Sequence, residues 1–230
     1  MALFMGWENE LAKGVGMTML AAGASLFFSL IIGVAVASAK QSRSTSLKFL
    51  GDAYTTIIRG MPELLIVFFV YFGSTIAAAY LVALVTGEDR YVEVPTLAAS
   101  VFSLSVIFGG YMAESIRGAM LALPKGQIEA AYAFGFSRSK CFFHIELPLI
   151  WRYALPALGN NWLSLIKATS LISLVGLEEL MRKTYIAAGD THQHFRFYTI
   201  AAGVYLVLTL INVFFLERLE KYTRRSEHTL

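Results

Sequence analysis

The sequence predicts an all-α integral membrane protein with five transmembrane helices, its N-terminus outside and its C-terminus cytoplasmic. Three observations predict this. Only 15% of the 230 residues are charged, against about 25% in an ordinary soluble domain. Mean hydropathy is +0.60. The chain also holds five apolar runs (one interrupted by a single lysine), each close to the roughly 20 residues that a helix needs to cross a bilayer core.

In chain order, the opening MALFMGWENELAKG lacks a basic region followed directly by a short apolar core, so no removable leader is expected. Gly14–Ala39 carries no Asp, Glu, Lys or Arg and forms the first span, residues 14–39. Leu47–Ile58 is too polar to span, but Leu47, Leu50, Tyr54 and Ile57 recur at helical spacing. That pattern predicts a helix lying along the inner surface, turned by Arg59-Gly60-Met61-Pro62 into the second span, residues 62–87. The third and fourth spans cover residues 95–117 and 150–177, the fourth broken only by Lys167, and the fifth covers residues 197–220. No internal repeat separates these elements, so residues 1–230 read as one domain.

Lys and Arg set the direction. The segments after span one, between spans three and four, and after span five hold thirteen basic residues; the opposite side holds five, namely Lys13, Arg90, Arg182, Lys183 and Arg196. The richer side is expected in the cytoplasm. The net charge of +3 is small, which gives no support to nucleic-acid binding, and the single cysteine, Cys141, permits no internal disulfide.

One cytoplasmic stretch is conspicuously polar: EAAYAFGFSRSKCFFHIELP, Glu129–Pro148. Gln127–Phe134 favours a helix, Gly135 stops it in a left-handed conformation, and Ser137 caps a second short helix over 138–146, with Pro148 opening span four. A solvated interfacial loop explains the stretch as well as a docking element does. As a docking element, Ala130 and Ala131 would offer a small surface, Glu129 a carboxylate, and Phe142, Phe143 and Ile145 an anchor against the membrane domain.

Glu129-Ala130-Ala131, Gly135, Ile145 and Leu147-Pro148 at this spacing resemble the EAA loop of permease subunits in bacterial ABC importers. The resemblance extends over about residues 16–222. RGMPELLIVFFVYFG, YMAESIRGAMLALPKGQIEAA and ALPALGNNWLSLIKATSLISLVGLEEL look like signatures of polar amino acid permeases, nearest to the histidine, lysine/arginine/ornithine and opine permeases. The resemblance implies a multi-pass subunit of the bacterial inner membrane. It implies several partners: a dimer of cytoplasmic ATPase subunits, a second similar permease subunit, a periplasmic solute-binding protein and surrounding lipid. The substrate would be an amino acid or opine. The EAA loop would be the coupling helix gripped by the ATPase, with Gly176–Arg196 and Glu88–Glu93 receiving the binding protein.

Seven residues stand out as candidates for the substrate route. Glu63 in the first turn of its helix either complements the macrodipole or favours cationic solutes at the pore. Glu114 and Arg117 are spaced as an i,i+3 ion pair, though an acid near a span is also a functional candidate. Lys167 must face the bundle interior or water; its KATSL setting resembles a motif shared across the family, which suits a gate or helix contact. Asn160, Asn161, Thr169 and Ser170 make span four the most polar, either joining helices or lining the route. His192 and His194 lack a third ligand nearby, so no metal is expected. No phosphate-binding GxxxxGK loop and no catalytic constellation is present, so neither ATP hydrolysis nor another cofactor is expected of this chain. An ion-coupled secondary transporter is the rival reading; it predicts paired acids at mid-membrane and inverted repeats, neither of which is apparent. A membrane-embedded enzyme lacks its residues.

Overall fold

The computed structural model describes residues 4–87 and 94–224. Among these residues every regular element is helical: α1 Glu8–Lys40, α2 Thr45–Gly60, α3 Glu63–Thr86, α4 Thr96–Leu121, α5 Lys125–Ala133, α6 Arg138–Cys141, α7 Leu147–Ala168, α8 Leu180–Thr191 and α9 His194–Arg224. Four of them, α1, α3, α4 and α9, are long and apolar enough to cross a membrane. The fourth expected span is α7 followed by a 3₁₀ segment, Thr169–Val175. Its apolar run is therefore divided between two helical geometries. The Glu88–Glu93 stretch expected to meet a binding protein lies outside the described residues.

Helix α4 is the hub, with α1, α7, α3 and α2 all packed on it. The α1–α4 seam is built from small residues. Ser25, Ser29, Gly33 and Ala37 recur every fourth position and are all buried. Across the seam the Ser25 hydroxyl donates to the Val101 carbonyl at 3.4 Å and the Ser29 hydroxyl to the Ser105 carbonyl at 3.5 Å. A Cβ built on Gly33 would sit 2.7 Å from Met112 Cβ, so the two backbones meet at a distance only glycine allows. Lipid is as apolar as a side chain. Close packing and interhelical hydrogen bonds, rather than escape from water, must therefore hold such a seam.

By contrast α3 and α9 are peripheral. Phe69, Phe72, Ile76 and Leu84 on α3, and Leu206, Leu210 and Phe214 on α9, are exposed. Large apolar side chains in that position suit a lipid or protein neighbour rather than water.

Three local features depart from the sequence expectations. The stretch 176–196, read as an outer loop, contains α8. Glu179 caps it, its carboxylate accepting from the Arg182 N–H at 2.8 Å. That carboxylate is fully buried and also accepts from the hydroxyls of Tyr205 at 3.0 Å and Thr18 at 3.3 Å, tying α8 to α1 and α9. Burial raises the Glu179 pKa; the hydrogen bonds oppose that shift. The second departure follows Ser137. Helix does not restart at Pro148: α6 passes through a π-helical turn, Phe142–Glu146, straight into α7. Proline donates no hydrogen bond and its ring crowds the carbonyl four residues back. The wider turn, in which the Leu147 N–H reaches the Phe142 carbonyl, absorbs Pro148 without breaking the helix. Third, the residues that α2 turns into the protein are not the apolar ones that mark it in the sequence. Gly51, Thr55 and Ile58 are buried, whereas Leu47, Leu50 and Ile57 are exposed.

Candidate functional site

The hairpin begins at Pro124, which precedes α5 in extended conformation. Glu129 and Ala130 are exposed, while Ala131 is buried and so offers no surface of its own. The turn closes through Gly135, whose φ of +78° lies in the left-handed region. Around it the N–H groups of Phe134, Gly135 and Phe136 reach the carbonyls of Ala130, Tyr132 and Ala131, each at 3.0 Å. Glycine reaches this conformation without the Cβ clash that other residues meet. Ser137 then caps α6, its hydroxyl accepting from the Lys140 N–H at 3.5 Å.

Helix α5 lies against α6 and the π turn of its own hairpin. The side chains that close the hairpin are Ala131 and Cys141, both buried. Phe142 and Phe143, expected to anchor it, are instead exposed at 37% and 62%, and Phe134 reaches 85%. Ile145 is half-buried; Leu147 and Pro148 are exposed. The Glu129 carboxylate and the rings of Phe134, Phe142 and Phe143 are thus all exposed on one short hairpin, a concentration of uncovered apolar surface that scattered single residues would not give.

The expected route residues on α7 and its extension fall into three groups, and Ser164 joins the first of them. Asn160, Ser164 and Lys167 occupy positions i, i+4 and i+7 of α7 and all three are exposed. They form one exposed polar edge of α7. Asn161 points elsewhere, donating to the Ser115 hydroxyl at 2.9 Å and joining α7 to α4. Thr169 and Ser170 donate to the Ile166 and Lys167 carbonyls at 2.7 and 2.8 Å. Such bonds stay on their own segment and stabilise the passage from α7 into the 3₁₀ stretch.

Glu114 forms the pair with Arg117 that its spacing suggests, at 2.7 and 3.0 Å. A second partner was not legible: the Lys40 ammonium, which also meets Asp52 at 3.0 Å and the Thr55 hydroxyl at 2.8 Å. One network thus joins α1, α2 and α4. Glu63, half-buried at the start of α3, lies beside the Tyr111 hydroxyl, and the Arg59 guanidinium stands 6.0 Å above the Tyr111 ring. No cluster of metal-ligating side chains occurs among the described residues.

The profile of the family described as binding-protein-dependent transport system inner membrane component matches residues 29–225. The nopaline transport system permease protein NocQ of Agrobacterium fabrum is 43% identical over 221 residues, covering 96% of this chain and 94% of that protein. The arginine ABC transporter permease protein ArtQ of Haemophilus influenzae is 42% identical, covering 86% and 85%. The histidine/lysine/arginine/ornithine transport system permease protein HisQ of Salmonella typhimurium is 36% identical, covering 91% of each. Among solved structures, an amino acid ABC transporter crystallised with histidines superposes with a TM-score of 0.80 at 27% identity, covering 93% of this chain and 94% of that one.

Proposed function

The chain belongs to the family of binding-protein-dependent transport system inner membrane components, and from that premise we propose that it is the permease subunit of an ABC importer for polar or cationic amino acids or opines. The relatives are permeases of such systems, which weighs against the ion-coupled alternative. The observation that carries the coupling role is the hairpin at Glu129: an exposed carboxylate and uncovered aromatic side chains, held by a glycine turn and joined through continuous helix to α7.

In this reading five spans cross the inner membrane, α7 with its 3₁₀ extension being the fourth, and the hairpin faces the cytoplasm. The distribution of Lys and Arg supports that orientation. A separate dimer of ATPase subunits hydrolyses ATP and grips the hairpin at Glu129, Ala130 and Gly135, while Ala131, Ile145, Leu147 and Pro148 shape it and join it to α7. A displacement at α5 passes through α6 and the π turn into α7 as one helical body. A periplasmic binding protein delivers the solute at the outer face, which includes α8. A second similar permease covers the exposed polar edge of α7, enclosing a passage between the two subunits.

Lys167 supports that enclosure. An unpaired ammonium facing hydrocarbon costs several kcal/mol at about mid-membrane, so its edge requires water or protein opposite it. Asn160 shares the edge and lines the same passage; Thr169 and Ser170 fix its outer end, and Asn161 holds α7 in register on α4. Glu63 meets the solute's cationic group, whereas Glu114 is spent on two cations and holds the cytoplasmic ends of α1, α2 and α4 together. For ATP and binding protein to switch access, the two states must differ in affinity for each.

Substitution of Glu129→Lys tests the lever. It reverses the hairpin's only carboxylate in α5 without touching any buried residue. Uptake of labelled amino acid should be abolished while the chain remains in the membrane at normal abundance. Wild-type uptake by this variant would remove the hairpin from the mechanism.

A further inference from the structure

Helix α2 has three edges with different chemistry. Gly51, Thr55 and Ile58 are buried against the body of the protein. Phe49, Ala53 and Ile57, one turn apart, form an apolar edge on which Phe49 is 69% exposed. Lys48, Asp52, Thr56 and Arg59 form a polar edge on the other side of the buried one. At the cytoplasmic surface the apolar edge belongs in lipid, so the polar edge belongs in water.

Beside that polar edge lies a cavity of about 570 Å³, lined by Lys40, Thr55, Thr56, Arg59, Tyr111 and Arg117, with Glu114 at its wall. Most of its charge is already matched. Lys40 is engaged by Glu114, Asp52 and Thr55; both Glu114 oxygens are taken, one by Lys40 and one by Arg117. What remains unspent is donor capacity. Arg59 has no carboxylate within 4.0 Å among the described residues, its guanidinium resting over the Tyr111 ring. Arg117 uses Nε and Nη2 on Glu114, leaving Nη1. Thr56 is exposed at the same cavity. Planar guanidinium donors with no acceptor of their own match a carboxylate, which they bind with charge-assisted hydrogen bonds.

We propose that this cavity is a carboxylate-binding subsite at the cytoplasmic mouth of the passage, where Arg59 and Arg117 hold the carboxylate of the departing amino acid or opine. The assignment rests on the importer reading of the chain. Glu63, beside the Tyr111 hydroxyl, supplies an acceptor for the cationic end of the same solute. A bipolar solute is thus matched at both ends, while a decarboxylated one finds only Glu63. The polar setting of the cavity, away from the lipid edge of α2, selects a solute rather than a phospholipid headgroup, although both present an anionic oxygen.

The experiment uses the complete transporter in nanodiscs of phosphatidylcholine, without binding protein. Binding of labelled L-arginine, L-histidine and octopine is compared with that of agmatine and histamine, which lack the carboxylate. Uptake of the same solutes by intact cells is measured alongside. Loss of one charge-assisted hydrogen-bonding group should weaken binding by about tenfold to a hundredfold. Arg59→Gln should show that loss for the transported carboxylate solute, Arg59→Lys should recover part of it, and agmatine or histamine should bind both variants and the wild type alike. Equal weakening of carboxylate and decarboxylated solutes, or no weakening, overturns the subsite while leaving the importer reading intact. An Arg59 effect that appears only when phosphatidylglycerol is added assigns the cavity to lipid and also overturns it. Failure of wild-type cells to take up any of the three solutes defeats the underlying substrate reading instead.

Discussion

Replacing Gly135 isolates the backbone's share in the proposed coupling hairpin. Its φ is +78°, and a Cβ built there meets nothing within 4 Å. Any effect of a small substitution therefore comes from conformation, not from a clash with neighbours. Placing an L-residue in the left-handed region costs roughly 1–2 kcal/mol. We take about 1 kcal/mol for Gly135→Ala and about 2 for Gly135→Val, whose branched Cβ tolerates the region least. Asparagine visits this region readily, so Gly135→Asn should cost least. At about 1.4 kcal/mol per factor of ten, the fraction of hairpins in the coupling geometry falls by up to about fivefold for alanine and thirtyfold for valine. The assay is initial uptake of labelled substrate, normalised to the permease present in the membrane and to the ATPase copurifying with it. Uptake should follow the order glycine, asparagine, alanine, valine at constant membrane abundance. Wild-type uptake by Gly135→Val, or equal losses in all three variants, would refute the claim that a left-handed turn sets the lever's shape.

Two further outcomes follow from the packing. Gly33→Leu would drive a side chain into Met112, whose Cβ already lies 2.7 Å from a built Cβ at position 33; α1 should part from α4, seen as loss of detergent-stable protein, whereas a normal yield and melting temperature would contradict the close seam. Lys183 donates to Glu10 at 2.8 Å and to Glu178 at 2.7 Å, and these carboxylates, Glu10 foremost, raise its pKa above the usual 10.5. Its stabilisation is complete below that ordinary value and is lost as pH rises through the raised one. The melting-temperature difference between wild type and Lys183→Gln should therefore be constant from pH 6 to about 9 and shrink only at strongly alkaline pH; a difference that vanishes near neutrality would contradict the ion bridge.

Long apolar runs were readable because a membrane span needs only length and absence of charge, and α1, α3, α4 and α9 lie where those runs lie. The glycine turn was readable because its residues carry the conformation locally, from Ala130 to Ser137. Helix α8 was hidden because its cap is Glu179, whose partners Thr18 and Tyr205 are remote in sequence. The π turn was hidden because Pro148 looks like a helix start, and only the continuous path from α6 shows how it is accommodated. In the same way Arg117 revealed itself as a partner of Glu114 by spacing, while Lys40, 74 residues away, did not. For α2, periodicity marked the apolar positions, but not that Gly51 and Thr55, with Ile58, would be the residues buried against the protein, because those contacts are set by partners remote in sequence.

Photocrosslinking from a reactive side chain at position 129, in intact cells, addresses the central claim most directly. Covalent capture of the ATPase subunit, increased when nucleotide is trapped, is the expected result. Capture of the periplasmic binding protein, or no adduct while other surfaces of this chain crosslink to the ATPase, would contradict it.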